Sequence, residues 1–207
     1  MGLRIGPKYK IARRLEDKIF SKTQTTKFAI SGSDGKSGKP GARKKTVSEY
    51  GRQLLEKQKA KYTYGVNERQ FSNYVKQVRT MKNVNTSAEM FKLLENRLDN
   101  IVFRLGLANS RLLSRQMVSH GHILVNGRRI NVPSAQIKTG DKVSVRPQSR
   151  NKGLFTTLED RLKTYTAPNW VIFDEKTMSG EVKGSPEYGE TESNLNFASI
   201  LEFYSRV

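Results

Sequence analysis

Residues Ser114 to Pro133 read SRQMVSHGHILVNGRRINVP, and the fold turns on them. A short helix stops at Gly121, and Ile123, Leu124 and Val125 leave it as a strand. Asn126-Gly127 is a strong hairpin signal, because both residues tolerate positive φ. Arg128 and Arg129 follow the turn and sit at its tip. Upstream, Arg111 and Arg115 are four residues apart and share one helix face. Gln116 and Ser119 add neutral hydrogen bonding beside them. His120 and His122 fall at the helix end, where they can donate to phosphate or backbone. A cationic helix edge beside a cationic hairpin tip suits a folded polyanion better than a small substrate. A-form RNA hides its base edges in a deep groove, so proteins read its shape, phosphates and 2′-hydroxyls. Planar guanidinium groups match phosphate bidentately. The expectation is an RNA-binding protein.

Charge says where such a partner lies. The 207 residues hold 38 Lys and Arg against 19 Asp and Glu, a net charge of +19. That surplus repels itself unless neutralised, most often by nucleic acid and next by acidic membrane. Net charge is +12 over residues 1–61, +3 over 62–94, +7 over 95–150 and −3 over 151–207. The positive field belongs to the first 150 residues. The late segment, with Glu187, Glu190 and Glu192, is expected to avoid phosphate and face protein.

The rest of the chain divides by periodicity. Residues 1–45 show little, and Gly32 to Gly41 is loop by composition. An extended basic arm is expected there, ordered by its partner. Thr46 and Glu49 have capping-box spacing, which starts a helix near Val47 and ends it at Gly65. Asn67 and Gln70 open a second helix carrying Phe71, Tyr74, Val75 and Val78. Thr86 and Glu89 cap a third, whose stripe runs through Phe91, Leu94, Leu98, Ile101, Val102 and Leu105 to Gly106. Asn109 or Ser110 starts the short basic helix. Ile130 and Val132 continue the return strand until Pro133. A strand near Ile137, a turn at Thr139-Gly140-Asp141 and a strand through Val143 and Val145 follow. Leu154, Leu158 and Leu162 mark a helix, Trp170 to Phe173 a strand, and Glu181 to Lys183 a short strand. The end is a helix whose face of Phe197, Ile200, Leu201 and Tyr204 needs a surface, expected on the early helices.

The fold class expected is therefore α+β. A mostly helical domain (46–95, completed by a C-terminal helix in 193–207) accompanies a small α/β domain (96–192). The latter holds the RNA-binding motif at about 97–160, a helix pair with a short antiparallel sheet, and the basic arm (1–45) precedes both.

Other chemistries fare poorly. Cysteine is absent, which removes disulfides, thiolate catalysis and thiolate zinc sites. His120 and His122 share a strand face, yet no Cys, Asp or Glu lies near enough in sequence to complete a shell, so no metal and no cofactor is expected. Gly35-Lys36-Ser37 imitates the end of a phosphate loop, but Ile30 stands where the first glycine belongs and Pro40 opposes the helix. No catalytic triad or carboxylate pair stands out. The start, MGLRIGPKYKIARR, has no apolar run, and no segment approaches the roughly 20 apolar residues that span a bilayer. A cytoplasmic, non-membrane location is expected.

Two stretches carry a family resemblance. ENRLDNIVFRLG (Glu95 to Gly106) with SRQMVSHGHILVNGRRINVPS (Ser114 to Ser134) resembles the small RNA-binding domain named after ribosomal protein four of the small subunit. KTVSEYGRQLLEKQKAKYTYGVNERQFSNY (Lys45 to Tyr74) resembles the helical domain of that ribosomal family. GPKYKIARR, PGARKK and the ending with Trp170 and a terminal helix also fit, so the likeness covers essentially the whole chain. It implies a structural, non-enzymatic protein of the small ribosomal subunit. Such a protein binds small-subunit rRNA directly and early in assembly, at a multi-helix junction of the 5′ domain. It further implies a place near the mRNA entrance, where mRNA is a partner too. Contact there with a neighbouring small-subunit protein, the fifth of the series, is linked to decoding accuracy.

Carried onto this chain, the rRNA-facing residues would be Lys8, Lys10, Arg13 and Arg14 of the arm and Arg43, Lys44 and Lys45. To these the likeness adds Tyr50, Arg52, Lys57, Lys59 and Lys61 on one helix, and Arg69. In the motif it implies Arg111, Ser114, Arg115, Gln116, Ser119, His120, His122, Asn126, Arg128 and Arg129. Many relatives hold the arm with four cysteines and zinc. Tyr9 and Ala12 stand where the first pair would fall, which implies an arm ordered by RNA alone. The same small domain also occurs in rRNA-modifying enzymes, but the remaining residues leave no room for a catalytic domain. A free-standing RNA regulator is the other alternative.

Overall fold

The computed structural model describes residues 5–26, 28, 47–150, 153–155, 158, 162, 165–174, 177–189 and 194–206. These fall in two compact units, residues 1–87 with 189–207 and residues 88–188.

In the first unit, α1 (Lys8–Leu15) follows Pro7 and ends where Glu16 turns left-handed at φ 53°. The reading of an extended arm is corrected here for residues 8–23. Ala12 and Leu15 are buried, and Ala12, Phe20 and Phe28 form a small apolar cluster joined by Ile5, Ile11 and Tyr62. Five charged or polar residues among eight hide this helix in the sequence, because only Ala12 and Leu15 are fully buried and Ile11 partly so. Tyr9 lies 5.3 Å from the ring of Phe28, and Ala12 has no exposed surface. Neither side chain offers a thiolate, so this pair does not fit a zinc ion.

The next helix, α2 (Glu49–Tyr64), begins two residues later than capping-box spacing indicates. Ser48, not Thr46, is its N-cap and accepts from Gly51 N at 3.2 Å. Gly65 closes it at φ 63°. Asn67 caps α3 (Glu68–Thr80) by accepting from Gln70 N at 2.9 Å. The terminal helix, α7 (Phe197–Ser205), packs on α2 and α3. Its buried face is Phe197, Ile200 and Phe203, with Leu201 and Tyr204 only partly covered.

The second unit starts with α4 (Thr86–Glu95) and α5 (Leu98–Arg104). The sequence stripe reads as one helix through Leu105, and this too is corrected. Arg97 leaves helical geometry at ψ 139°. Leu98 N donates to Ala135 O at 2.8 Å, Asp99 N donates to Pro133 O at 3.1 Å, and Arg97 bridges Gln136. A distant segment takes the donors that a continuous helix would have used. The expected strand near Ile137 reduces to that single bridge.

Ser110 caps α6 (Arg111–Ser119), which packs on α5. An antiparallel sheet follows, ordered β2-β1-β3-β5-β4. Its strands are β1 (Ile123–Val125), β2 (Arg128–Arg129), β3 (Lys142–Val145), β4 (Val171–Asp174) and β5 (Ser179–Val182). The return strand is shorter than expected, since Ile130 and Val132 lie beyond it. Leu158 and Leu162 are helical and Leu154 is in a turn, while most of the helix expected across them lies outside the described residues. Leu98, Ile101, Val102 and Leu105 meet Met117, Val118, Ile123, Val143, Val145 and Val182 in one core. Burying each such side chain stabilises the unit by about 1.5–3 kcal/mol before entropy is counted.

Candidate nucleic-acid interface

In the second unit the hairpin presents its cations at a fixed tip. Asn126 and Gly127 turn at φ 49° and 77°, pairing Val125 with Arg128 and Leu124 with Arg129. The Asn126 amide is anchored: its Nδ2 donates to Asp141 Oδ1 at 2.8 Å, and its Oδ1 accepts from Lys142 N at 2.9 Å. Asn126 therefore holds the turn to β3. Arg128 and Arg129 are exposed, as are Gln116, Ser119 and His120 on the neighbouring helix end.

The α6 arginines are arranged differently. Arg111 Nε donates to Asn100 Oδ1 at 2.7 Å, and its guanidinium lies 4.6 Å from the Phe103 ring centroid. Arg115 Nη1 donates to Asp99 Oδ2 at 3.1 Å. Asp99 is also gripped by Arg97, whose Nε and Nη2 reach its two oxygens at 3.0 and 2.7 Å. Glu95 is fully buried and accepts from Asn100 at 2.8 Å and from Arg104 at 2.7 and 2.9 Å. Arg111 and Arg115 thus stand on a buried carboxylate–guanidinium lattice, which fixes their orientation. Ser114 is buried, donating to Arg111 O at 2.8 Å, and His122 is buried with Nδ1 2.9 Å from Ser149 Oγ. Both act within the fold.

Sequence reasoning passed over Glu95, Arg97, Asp99, Asn100 and Arg104. The signal was present, since charges interrupt an apolar stripe at ENRLDN, where a solvated helix face would not place them. Among the described residues, no three His, Asp or Glu side chains gather as a metal centre.

In the first unit, Lys10, Arg13, Arg14, Arg52 and Arg69 are exposed, and Lys8 lies 5.9 Å from the Phe20 ring. Arg43, Lys44 and Lys45 lie outside the described residues. Lys57 is not a surface cation: it is 7% exposed, 3.0 Å from Glu68, and 4.6 Å from the ring of Phe203. Helix packing buries it because α7 covers that face of α2. Lys61 also pairs with Glu68, at 2.9 Å, and Lys59 pairs with Glu56 at 2.9 Å. Tyr50 is half exposed, its ring 5.3 Å from Phe203. Tyr204 donates to Glu68 at 2.6 Å. Burial pushes the Glu68 carboxyl up, but hydrogen bonds from Tyr204, Lys61 and Lys57 and the charge of Lys57 outweigh it and hold the pKa at about 2. Burial, then the bond to Glu68, pushes the Tyr204 phenol up.

An α+β chain with a helix-braced, arginine-tipped hairpin defines the class of small RNA-binding domain that the sequence resembles. Comparison with known families agrees: residues 4–95 match the ribosomal protein S4/S9 N-terminal domain, and residues 96–143 match the S4 domain. Curated relatives extend this over nearly the whole chain. The small ribosomal subunit protein uS4 of Roseiflexus sp. (strain RS-1) is 44% identical over 203 residues, spanning 97% of this chain and 98% of its own. That of Chloroflexus aurantiacus (strain ATCC 29366 / DSM 635 / J-10-fl) is 43% identical over 204 residues, and that of Chromobacterium violaceum 42% over 205, each spanning 98% of both chains. The chain belongs to the uS4 family of small ribosomal subunit proteins.

Proposed function

We propose that the chain is a structural constituent of the small ribosomal subunit that binds its rRNA directly. Its work is binding: fixed cations neutralise phosphates and hold RNA helices at a junction. The observation that carries the reading is the exposed Arg128–Arg129 pair, mounted on a turn clamped by Asn126 beside a helix whose arginines are oriented from below. The S4-domain match covers these same residues.

Finer parts of the proposal follow from family membership. The protein nucleates folding of the 5′ domain, touches the fifth protein of the series near the mRNA entrance, and so contributes to decoding accuracy in the cytoplasmic ribosome. The division into an arm, a helical domain closed by the C-terminal helix and an α/β domain belongs to the same proposal. So do the exposed Lys10, Arg13, Arg14, Arg52 and Arg69 as further rRNA contacts.

The test is binding of the purified full chain to transcribed small-subunit rRNA across a salt series. With about 6–10 phosphate contacts, affinity falls roughly 10³–10⁵-fold between 50 and 200 mM salt by the duplex DNA rule, and somewhat less on single strands. Arg129→Ala weakens binding by about 1–3 kcal/mol. Affinity in dilute buffer no better than for unrelated RNA would end the proposal. Arg129 is a cleaner probe than Arg115, whose removal also takes a partner from Asp99.

A further inference from the structure

Gly121 is the seat of a side chain from the hairpin. It ends α6 at φ 72° and is itself buried, while Arg129 above it is exposed. A Cβ at Gly121 would come within 2.6 Å of Arg129 Cζ, and nearer still to its Nε and Nη2. The guanidinium therefore occupies the space that any side chain at position 121 would fill. It rests there against the C-terminal end of α6, where the helix dipole favours a cation. Its long side chain would otherwise sample many rotamers, and ordering them on binding costs affinity.

We propose that Gly121 is a positioning residue for RNA binding: its missing Cβ docks Arg129 against α6, so that this guanidinium is preset for phosphate. The inference rests on the reading of Arg129 as an rRNA contact. Because an exposed arginine can swing aside, Gly121→Ala displaces the guanidinium and leaves the fold standing with some backbone strain. Gly140 supplies the control for strain. It too is left-handed, at φ 91°, in a turn of the same unit, and a Cβ there meets nothing within 4 Å.

The experiment measures affinity of the full chain for transcribed small-subunit rRNA over a salt series. It compares Gly121→Ala, Arg129→Ala, the double variant and Gly140→Ala, with folding checked by Trp170 fluorescence. Gly121→Ala and Arg129→Ala each weaken binding about tenfold and lower the salt slope by about one, and the double variant is no worse than either. Gly140→Ala keeps the parent slope. Strain alone alters stability but not the number of phosphates neutralised, so the slope separates the two. Additive losses, or a parent slope in Gly121→Ala, overturn the inference while Arg129 stands as a contact. An Arg129→Ala variant with parent affinity and slope overturns both.

Discussion

The two units use buried charge in opposite ways. In the second, Arg97 and Asp99 are sealed from solvent and bonded bidentately, with Glu95 and Arg104 beside them. In the first, Lys57 meets Glu68 at the helix joint, but that carboxylate is nearly half exposed and shared with Lys61 and Tyr204. The contrast follows from side-chain chemistry. A guanidinium locks two carboxylate oxygens in one plane, so it orients whatever is built on it, whereas an ammonium is a point charge that tolerates rearrangement. The rigid network lies beneath the arginine-bearing helix, where direction matters. The tolerant one joins helices, where closeness suffices.

The largest test of this comparison is Asp99→Ala. It removes the carboxylate that accepts two bonds from Arg97, which has no exposed surface, and one from Arg115, and destabilises the second unit by about 3–5 kcal/mol. Urea unfolding followed by Trp170, the chain's single tryptophan and a resident of that unit, reads the loss. A change below about 1 kcal/mol would mean that the lattice is not rigid, since surface pairs contribute no more than that.

A matched pair of caps gives the baseline. Asn67→Ala in the first unit and Ser110→Ala in the second each cost about 1 kcal/mol. Amide exchange in α3 and α6 would show each loss confined to its own unit.

Smaller again is Lys57→Met, which keeps the packing on Phe203 and leaves Glu68 its bonds from Lys61 and Tyr204. The expected change is below about 1 kcal/mol, read from amide exchange in α2 and α7. A loss matching that of Asp99→Ala would erase the distinction between the units.

The subtlest test is pH. Glu68 is held at about 2 in the fold against 4.5 as its ordinary value. Its contribution is therefore complete above about pH 5 and is lost as pH falls toward 2. Glu68→Gln lowers the stability of the first unit at neutral pH and flattens its acid limb, seen as α7 exchange rates that change less from pH 5 to 3 than in the parent. An acid limb of unchanged steepness would assign it to other carboxylates.

Local chemistry made much of this molecule legible. Asn67 caps the helix that its spacing indicates, Ser110 is one of the two starts expected for the short basic helix, and Asn126-Gly127 makes the hairpin, because a cap or a tight turn involves only neighbours in sequence. The positions of Arg128 and Arg129 follow directly, as they depend on the turn alone. Misreadings arose where remote residues intervene. Nothing in Glu95 to Leu105 announces that Pro133 and Ala135 will take the donors of Asp99 and Leu98 and split one helix into two. Nor does α2 reveal that a segment some 140 residues later covers Lys57.

By itself, then, the chain's order of residues determined its α+β class, its family, its excess of positive charge and the turn that carries two exposed arginines. These rest on composition, periodicity and short-range geometry, which need no knowledge of the rest of the molecule. Tertiary structure alone decided which cations are solvent-facing and which are braced inside, that α1 folds around Phe28, and that Gly121 leaves room for Arg129. Each of those depends on which distant surfaces meet, and burial, unlike helical period, is a property of the pair and not of either partner.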